Sequence, residues 1–332
     1  MVDCPVDAGM SAPRGYGHGS RLPGTPEPMH VWSGAGGLSI AGDAWGDPRG
    51  PLVLLQHGGG QTRHAWRGAG EQLAAAGYYA VAFDARGHGD SGWSADGRYD
   101  QDIMVDDLCC VIAALGNRRP ALVGASMGGG TSLAAVGEDR VDATALVLVD
   151  VAPRIEPEGV AKIRAFMAQN PDGFDTLQAV ADAISNYQPH RTRPRSLDGL
   201  GKNVRLGDDG RYRWHWDPAF RRGPKFDFRK RQLRLEACAR NLKLPVQLVR
   251  GGMSDVLTDD GVRNFRQLCP QCEYVNITGA AHMVAGDRND VFGNAVIEFL
   301  SGAVPAHGGE PQPSHMLDAH REGPPGAVED IP

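Results

Sequence analysis

The stretch PALVGASMGGGTSLAAVGE, residues 120–138, decides how this chain is read. Its first half is apolar enough for a buried strand, and its second half is small, Gly-rich and helical in pattern. Between the halves, Ser126 sits in a G-x-S-x-G with Gly124 and Gly128 at its flanks. Glycine at those two places lets strand and helix approach closely and leaves the serine hydroxyl at the apex of a sharp turn. A helix starting behind it directs its first amides and its positive dipole end toward charge forming beside the hydroxyl.

Outward from that turn, strand-like and helix-like segments alternate, the pattern of a largely parallel sheet with helices on both faces. Upstream, MHVWS (29–33) and LSIAGDAWG (38–46) read as a hairpin across GAGG. PLVLLQH (51–57) and YYAVAFDA (78–85) read as strands around the helix HAWRGAGEQLAAAG, and DQDIMVDDLCCVIAALG (100–116) as a helix capped by Asp100 or Asp102. Downstream, ATALVLVDVA (143–152) is apolar almost throughout, which suits a parallel strand buried on both faces. The alternation stops at Pro153 and resumes near residue 242 with PVQLVRGG, DDGVRNFRQLC, EYVNIT and DVFGNAVIEFLSG. The expected organisation is a core over 29–152 and 242–302, a helical cap inserted over 153–241, and disordered tails at 1–28 and 303–332. The last cap helix is read at RKRQLRLEACARNL (229–242).

With 332 residues and 41% hydrophobic content, the chain buries a large core without needing metal or disulfide staples. A net charge of −6 gives no global field for nucleic acid or an anionic membrane. No apolar run is long enough for a membrane span, and the first residues lack the basic head and apolar stretch of a signal peptide. A cytoplasmic location and mostly reduced cysteines are therefore expected. CPQC (269–272) falls between a helix and a strand rather than at a helix start, and no second pair completes a zinc site.

A serine hydroxyl is a poor nucleophile at neutral pH and needs a base that an acid orients. His282, in TGAAHM, and Asp255, just after PVQLVRGG, follow successive strands at the sheet edge that carries Ser126. The expected order along the chain is Ser, acid, His. Asp255 is preferred as the acid, with Asp150 at the end of ALVLVD as the alternative. Acyl transfer also needs donors for an oxyanion. HGGG (57–60) supplies amides free of side chains, and the expected donors are Gly59 and Met127, with Gly60 as the alternative to Gly59.

HGGG, FDARGHGDS, GASMGG, the Asp255 position and GAAHM, in that order, resemble the α/β-hydrolase superfamily over roughly residues 31–302. The resemblance implies an α/β fold with a mostly parallel eight-stranded sheet, a cap after the sixth strand, no cofactor and a small-molecule substrate. It also identifies DARGHGDS as a structural turn, with Asp84, Arg86 and His88 holding the fold. Serine at the elbow departs from the aspartate of haloalkane dehalogenases and the related epoxide hydrolases. What remains is a Ser-His-Asp hydrolase of carboxylic esters or lactones, with carbon-carbon bond hydrolases and cofactor-free perhydrolases as alternatives. A small-molecule receptor of the same fold is the non-enzymatic alternative.

Within the cap, Trp214, His215 and Trp216 alternate in an extended segment, so the tryptophans share one face and His215 points to the other. The pair is expected either to wall an apolar or aromatic substrate or to anchor the cap. Arg191, Arg193 and Arg195, with the later RRGPKFDFRKRQLR, make the cap locally basic. Such runs are solvated faces or attract a carboxylate-bearing substrate.

Overall fold

The structure is a computed structural model that describes residues 19–189, 197–221, 227–284 and 289–306. In chain order the strands are β1 (His30–Ser33), β2 (Ser39–Trp45), β3 (Leu52–Gln56), β4 (Tyr79–Phe83), β5 (Ala121–Ala125), β6 (Ala145–Val149), the ribbon strands β7 (Val204–Leu206) and β8 (Tyr212–Trp214), then β9 (Val246–Gly251) and β10 (Cys272–Ile277). Eight of them form one sheet in the order β1-β2-β4-β3-β5-β6-β9-β10. β2 runs antiparallel to β1 and β4, and every other pair in that sheet is parallel.

Successive residues of a strand point to opposite faces, and both faces here are covered. Leu52 and Leu54 of β3 pack beneath α2 (Gln101–Ala114), α3 (Met127–Gly137), α6 (Phe228–Asn241) and α7 (Asp259–Leu268), whereas Val53 and Leu55 pack beneath α1 (Arg67–Ala75) and α8 (Asn289–Ala303). That two-sided burial is why the central strands read as continuous apolar runs. The α/β class and the eight-stranded, mostly parallel sheet expected from the sequence are what the structure contains.

Between β6 and α6 the chain leaves the sheet. α4 (Pro157–Met167), α5 (Leu177–Tyr187) and the β7-β8 ribbon close around their own cluster of Met167, Phe174, Val180, Val204, Trp214 and Trp216. One boundary differs from the expectation. α6 falls inside the segment expected as cap, before the strand–helix alternation resumes, yet Leu235, Cys238 and Ala239 join the main core. Its narrow apolar stripe lies on α3, where a Cβ added to Gly137 would fall 2.3 Å from Cys238 Cβ. The tail expected over 1–28 is also paired where it is described, since Ser20 bridges Leu206. Residues 1–18 and 307–332 lie outside the described residues, as do Arg191, Arg193 and Arg195.

Candidate active site

Ser126 occupies the single-residue turn from β5 into α3 at φ 48°, ψ −106°. This left-handed region costs a non-glycine residue roughly 1–3 kcal/mol, so the surroundings must enforce it. They do so by close approach. A Cβ on Gly124 would lie 2.5 Å from the Gly129 nitrogen, and one on Gly128 would lie 2.5 Å from the Gln56 carbonyl oxygen. The result is a serine at the C-terminal edge of the parallel strands, facing a cavity beneath the cap.

His282, in the turn after β10, lines the same cavity. Its Nδ1 lies 2.6 Å from Oδ2 of Asp150, the fully buried residue that ends β6. The Gly251 amide donates to the other oxygen at 3.0 Å, and the Ser254 hydroxyl donates to the first. An acceptor on Nδ1 fixes the proton there and leaves Nε2 with a free lone pair. This geometry corrects the preference for Asp255. The Asp255 carboxylate is exposed and meets Lys162 Nζ at 2.8 Å. Its main chain packs against α4, where a Cβ on Gly159 would sit 2.3 Å from the Asp255 carbonyl oxygen. Asp150 in turn adopts φ 50°, a kink at the strand end.

The HGGG segment crosses in front of the start of α3, and its amides can be accounted for one by one. Gly58 donates to Gln61 Oε1 at 2.8 Å and Gly60 donates to His88 Nε2 at 3.1 Å. Gly128 donates to the His57 carbonyl at 3.2 Å. The amides of Gly59 and Met127 make no hydrogen bond among the described residues. They are the two donors left over at the mouth of the serine turn, and Gly60, the alternative donor, is already engaged.

Three buried imidazoles hold this segment. His57 accepts from the Ala85 amide at 2.9 Å and donates to the Gly58 carbonyl at 2.8 Å. His88 accepts from Gly60 and donates to the Arg86 carbonyl at 3.2 Å. His215, from the cap, accepts from the Gly89 amide at 2.8 Å and donates to the Gly60 carbonyl at 3.3 Å. Each ring therefore uses one nitrogen as acceptor and one as donor, which only neutral imidazole can do. Burial pushes all three below the usual histidine range, His88 to about 3. The role of His215 was missed in the sequence, although its opposite facing to the tryptophans was not. A histidine flanked by two aromatic residues just past a strand gives no sign of its partner on another segment.

The DARGHGDS turn is a structural knot, as its resemblance implied. Arg63 ties Asp84 at 2.6 Å, Asp90 at 2.9 Å and Asp43 at 3.0 Å, all inside the protein. Arg86 clasps both oxygens of Asp107 at 2.6 and 2.7 Å.

The cavity encloses about 1020 Å³ between sheet edge and cap. Trp214 and Trp216 line it with rings stacked at 4.9 Å, and Phe166 packs against both. Both tryptophans are buried, so they wall the cavity and tie the cap core together at once. Elsewhere, Cys269 and Cys272 are free thiols that burial pushes up to about 11 and about 12, which leaves little thiolate for redox or metal chemistry. Cys109 and Cys238 are also free, while Cys110 is disulfide-bonded. Among the described residues no cluster of His, Cys, Asp and Glu has the arrangement of a metal site, and no helix is long and apolar enough to cross a membrane.

Comparison with known proteins agrees with this fold. A family model described as alpha/beta hydrolase fold matches residues 51–288. The chain is 32% identical to the esterase Rv0045c of Mycobacterium tuberculosis, over 84% of this chain and 89% of that protein. A crystal structure of the same esterase superposes with a TM-score of 0.64 at 29% identity, covering 84% of this chain and 92% of that one. The 3-hydroxybutyrate-oligomer hydrolase of Cupriavidus necator is 28% identical over 69% of this chain and 82% of its own length.

Proposed function

Within the α/β-hydrolase family, to which this chain belongs, we propose a serine hydrolase that cleaves carboxylic esters or lactones through an acyl-enzyme on Ser126. His282 takes the Ser126 proton on Nε2 as Oγ attacks the carbonyl carbon. The oxyanion is received by the amides of Gly59 and Met127, which have no other partner among the described residues. His282 then gives the proton to the leaving alkoxide, and a water deprotonated by the same nitrogen releases the acid and restores the serine. Asp150 holds the imidazole in the required tautomer and stabilises its cationic form.

The observation that carries this reading is the 2.6 Å contact of His282 with buried Asp150, at a cavity that is also lined by a serine held at φ 48°. Such a strained serine is a recurrent mark of functional sites. The esterase relatives favour ester cleavage over carbon-carbon cleavage or perhydrolysis, which would call on the same groups. A series of aryl esters of increasing acyl length tests it. Turnover by the native protein and none by Ser126→Ala is the expected result; release that persists in the variant would overturn the reading.

A further inference from the structure

Arg231 stands out among the cations of the cavity wall. Two other arginines on that wall are paired: Arg98 with Asp100 at 3.6 Å, and Arg234 with Asp102 and Glu138. Arg231 has no carboxylate partner among the described residues. Only Nη1 is engaged, by the carbonyls of Pro153 at 3.1 Å and Ala152 at 3.5 Å, just past the end of β6. Burial pushes its guanidinium down to about 10, with no acidic group offsetting that cost.

The other guanidinium nitrogen, Nη2, lies against α3 at Gly130. A Cβ built there would lie 3.5 Å from Arg231 Nη2 and 3.1 Å from Gln101 Nε2. Two sets of donors therefore converge where the helix carries no side chain, and both residues line the cavity. Gly130 is one turn beyond the candidate nucleophile, its amide donating to the Ser126 carbonyl at 2.9 Å. One helical turn is about 5.4 Å. A half-buried guanidinium and an amide without acceptors form a site for a planar anion, because arginine matches a carboxylate with parallel N–H bonds.

We propose that Arg231 and Gln101 bind a carboxylate of the substrate, so that the preferred substrate class is a short dicarboxylic half-ester or a related acid-bearing ester. The proposal rests on the hydrolase reading, since it places the anion beside Gly130, one helical turn after Ser126. Hydrolysis consumes water and yields an alcohol and a free dicarboxylate. The basic segment thus contributes Lys230, Arg231 and Arg234 to the cavity wall, and of these Arg231 is the one assigned to the anion.

The test uses monomethyl succinate, glutarate and adipate beside methyl butyrate, with ester loss followed by chromatography in the native protein, Arg231→Met and Gln101→Leu. The native protein is expected to favour a half-ester, and Arg231→Met to reduce the ratio of half-ester to butyrate kcat/KM roughly ten- to a hundredfold, the scale of charged hydrogen bonds. Gln101→Leu, which leaves the guanidinium in place, should reduce the ratio less. Binding of monomethyl glutarate to Ser126→Ala is measured calorimetrically with and without Arg231→Met, which reads the anion site even if no ester is turned over. Binding lost with Arg231 but no turnover of any ester would retain the anion site and overturn the hydrolase reading. A ratio and a binding constant that Arg231→Met leaves unchanged would overturn the proposal while ester turnover stands.

Discussion

Asp150 and His282, 132 residues apart in the chain, meet at 2.6 Å, while Asp255 turns outward to Lys162. Asp150→Asn would keep the shape but remove the acceptor that fixes the imidazole tautomer. A loss in kcat of about a thousandfold or more is expected, on the scale of such substitutions in serine hydrolases generally. Asp255→Asn removes only an exposed ion pair, worth under about 1 kcal/mol, and should leave kcat within about twofold. Steady-state kinetics of both variants on one aryl ester decides which aspartate serves.

His215 ties the cap to the segment bearing the Gly59 amide. His215→Phe leaves the Gly89 amide without its acceptor, and a buried unmet donor costs about 1–3 kcal/mol. Stability in urea should fall by that order, and kcat should fall more than KM changes as the Gly60 carbonyl loses its support. His215→Asn, which can still accept from Gly89, should recover much of the stability. Unchanged kcat in the Phe variant would separate the strut from the chemistry.

The buried histidines also set a pH dependence. His57, His88 and His215 have folded-state values pushed below the ordinary value, so the unfolded chain binds more protons once pH falls below about 6.5. Their contribution is fully present above that pH and is lost progressively as pH drops toward the value of about 3 held by His88. Melting temperature should fall steadily from pH 7 to pH 4, with a shallower slope in His215→Asn. A flat profile would contradict neutral, buried imidazoles.

Trp214 and Trp216 combine the two roles weighed for them. Because they stack at 4.9 Å within the cap core, replacing either by Ala should destabilise the protein by about 3–5 kcal/mol. Trp216→Leu, which keeps an apolar side chain and removes less volume than Ala does, should cost less and shift preference among acyl chain lengths. Thermal unfolding and a chain-length profile together separate anchoring from selectivity.

The serine turn, the alternating layers and His282 were legible because each leaves a local mark: glycines around a hydroxyl, apolar runs of strand length, a histidine just past a strand. Which aspartate meets His282 was not, because the choice between Asp150 and Asp255 depends on a left-handed kink at one strand end and on the packing of α4 against the other. The layer of α6 was hidden by its charge, since three buried residues on an otherwise basic helix make a weak periodic signal. His215 was beyond reach for another reason. Its two partners lie 126 and 155 residues away, and nothing local encodes them.

The most direct test of the central claim is mass spectrometry of the protein quenched during turnover of an aryl ester, with peptide mapping of any added acyl mass. The account predicts one acyl group on the peptide bearing Ser126, absent from Ser126→Ala and accumulating in a His282→Ala variant treated with an activated ester. Turnover with the acyl group on another residue, or with rapid-quench samples that never carry one, would contradict it.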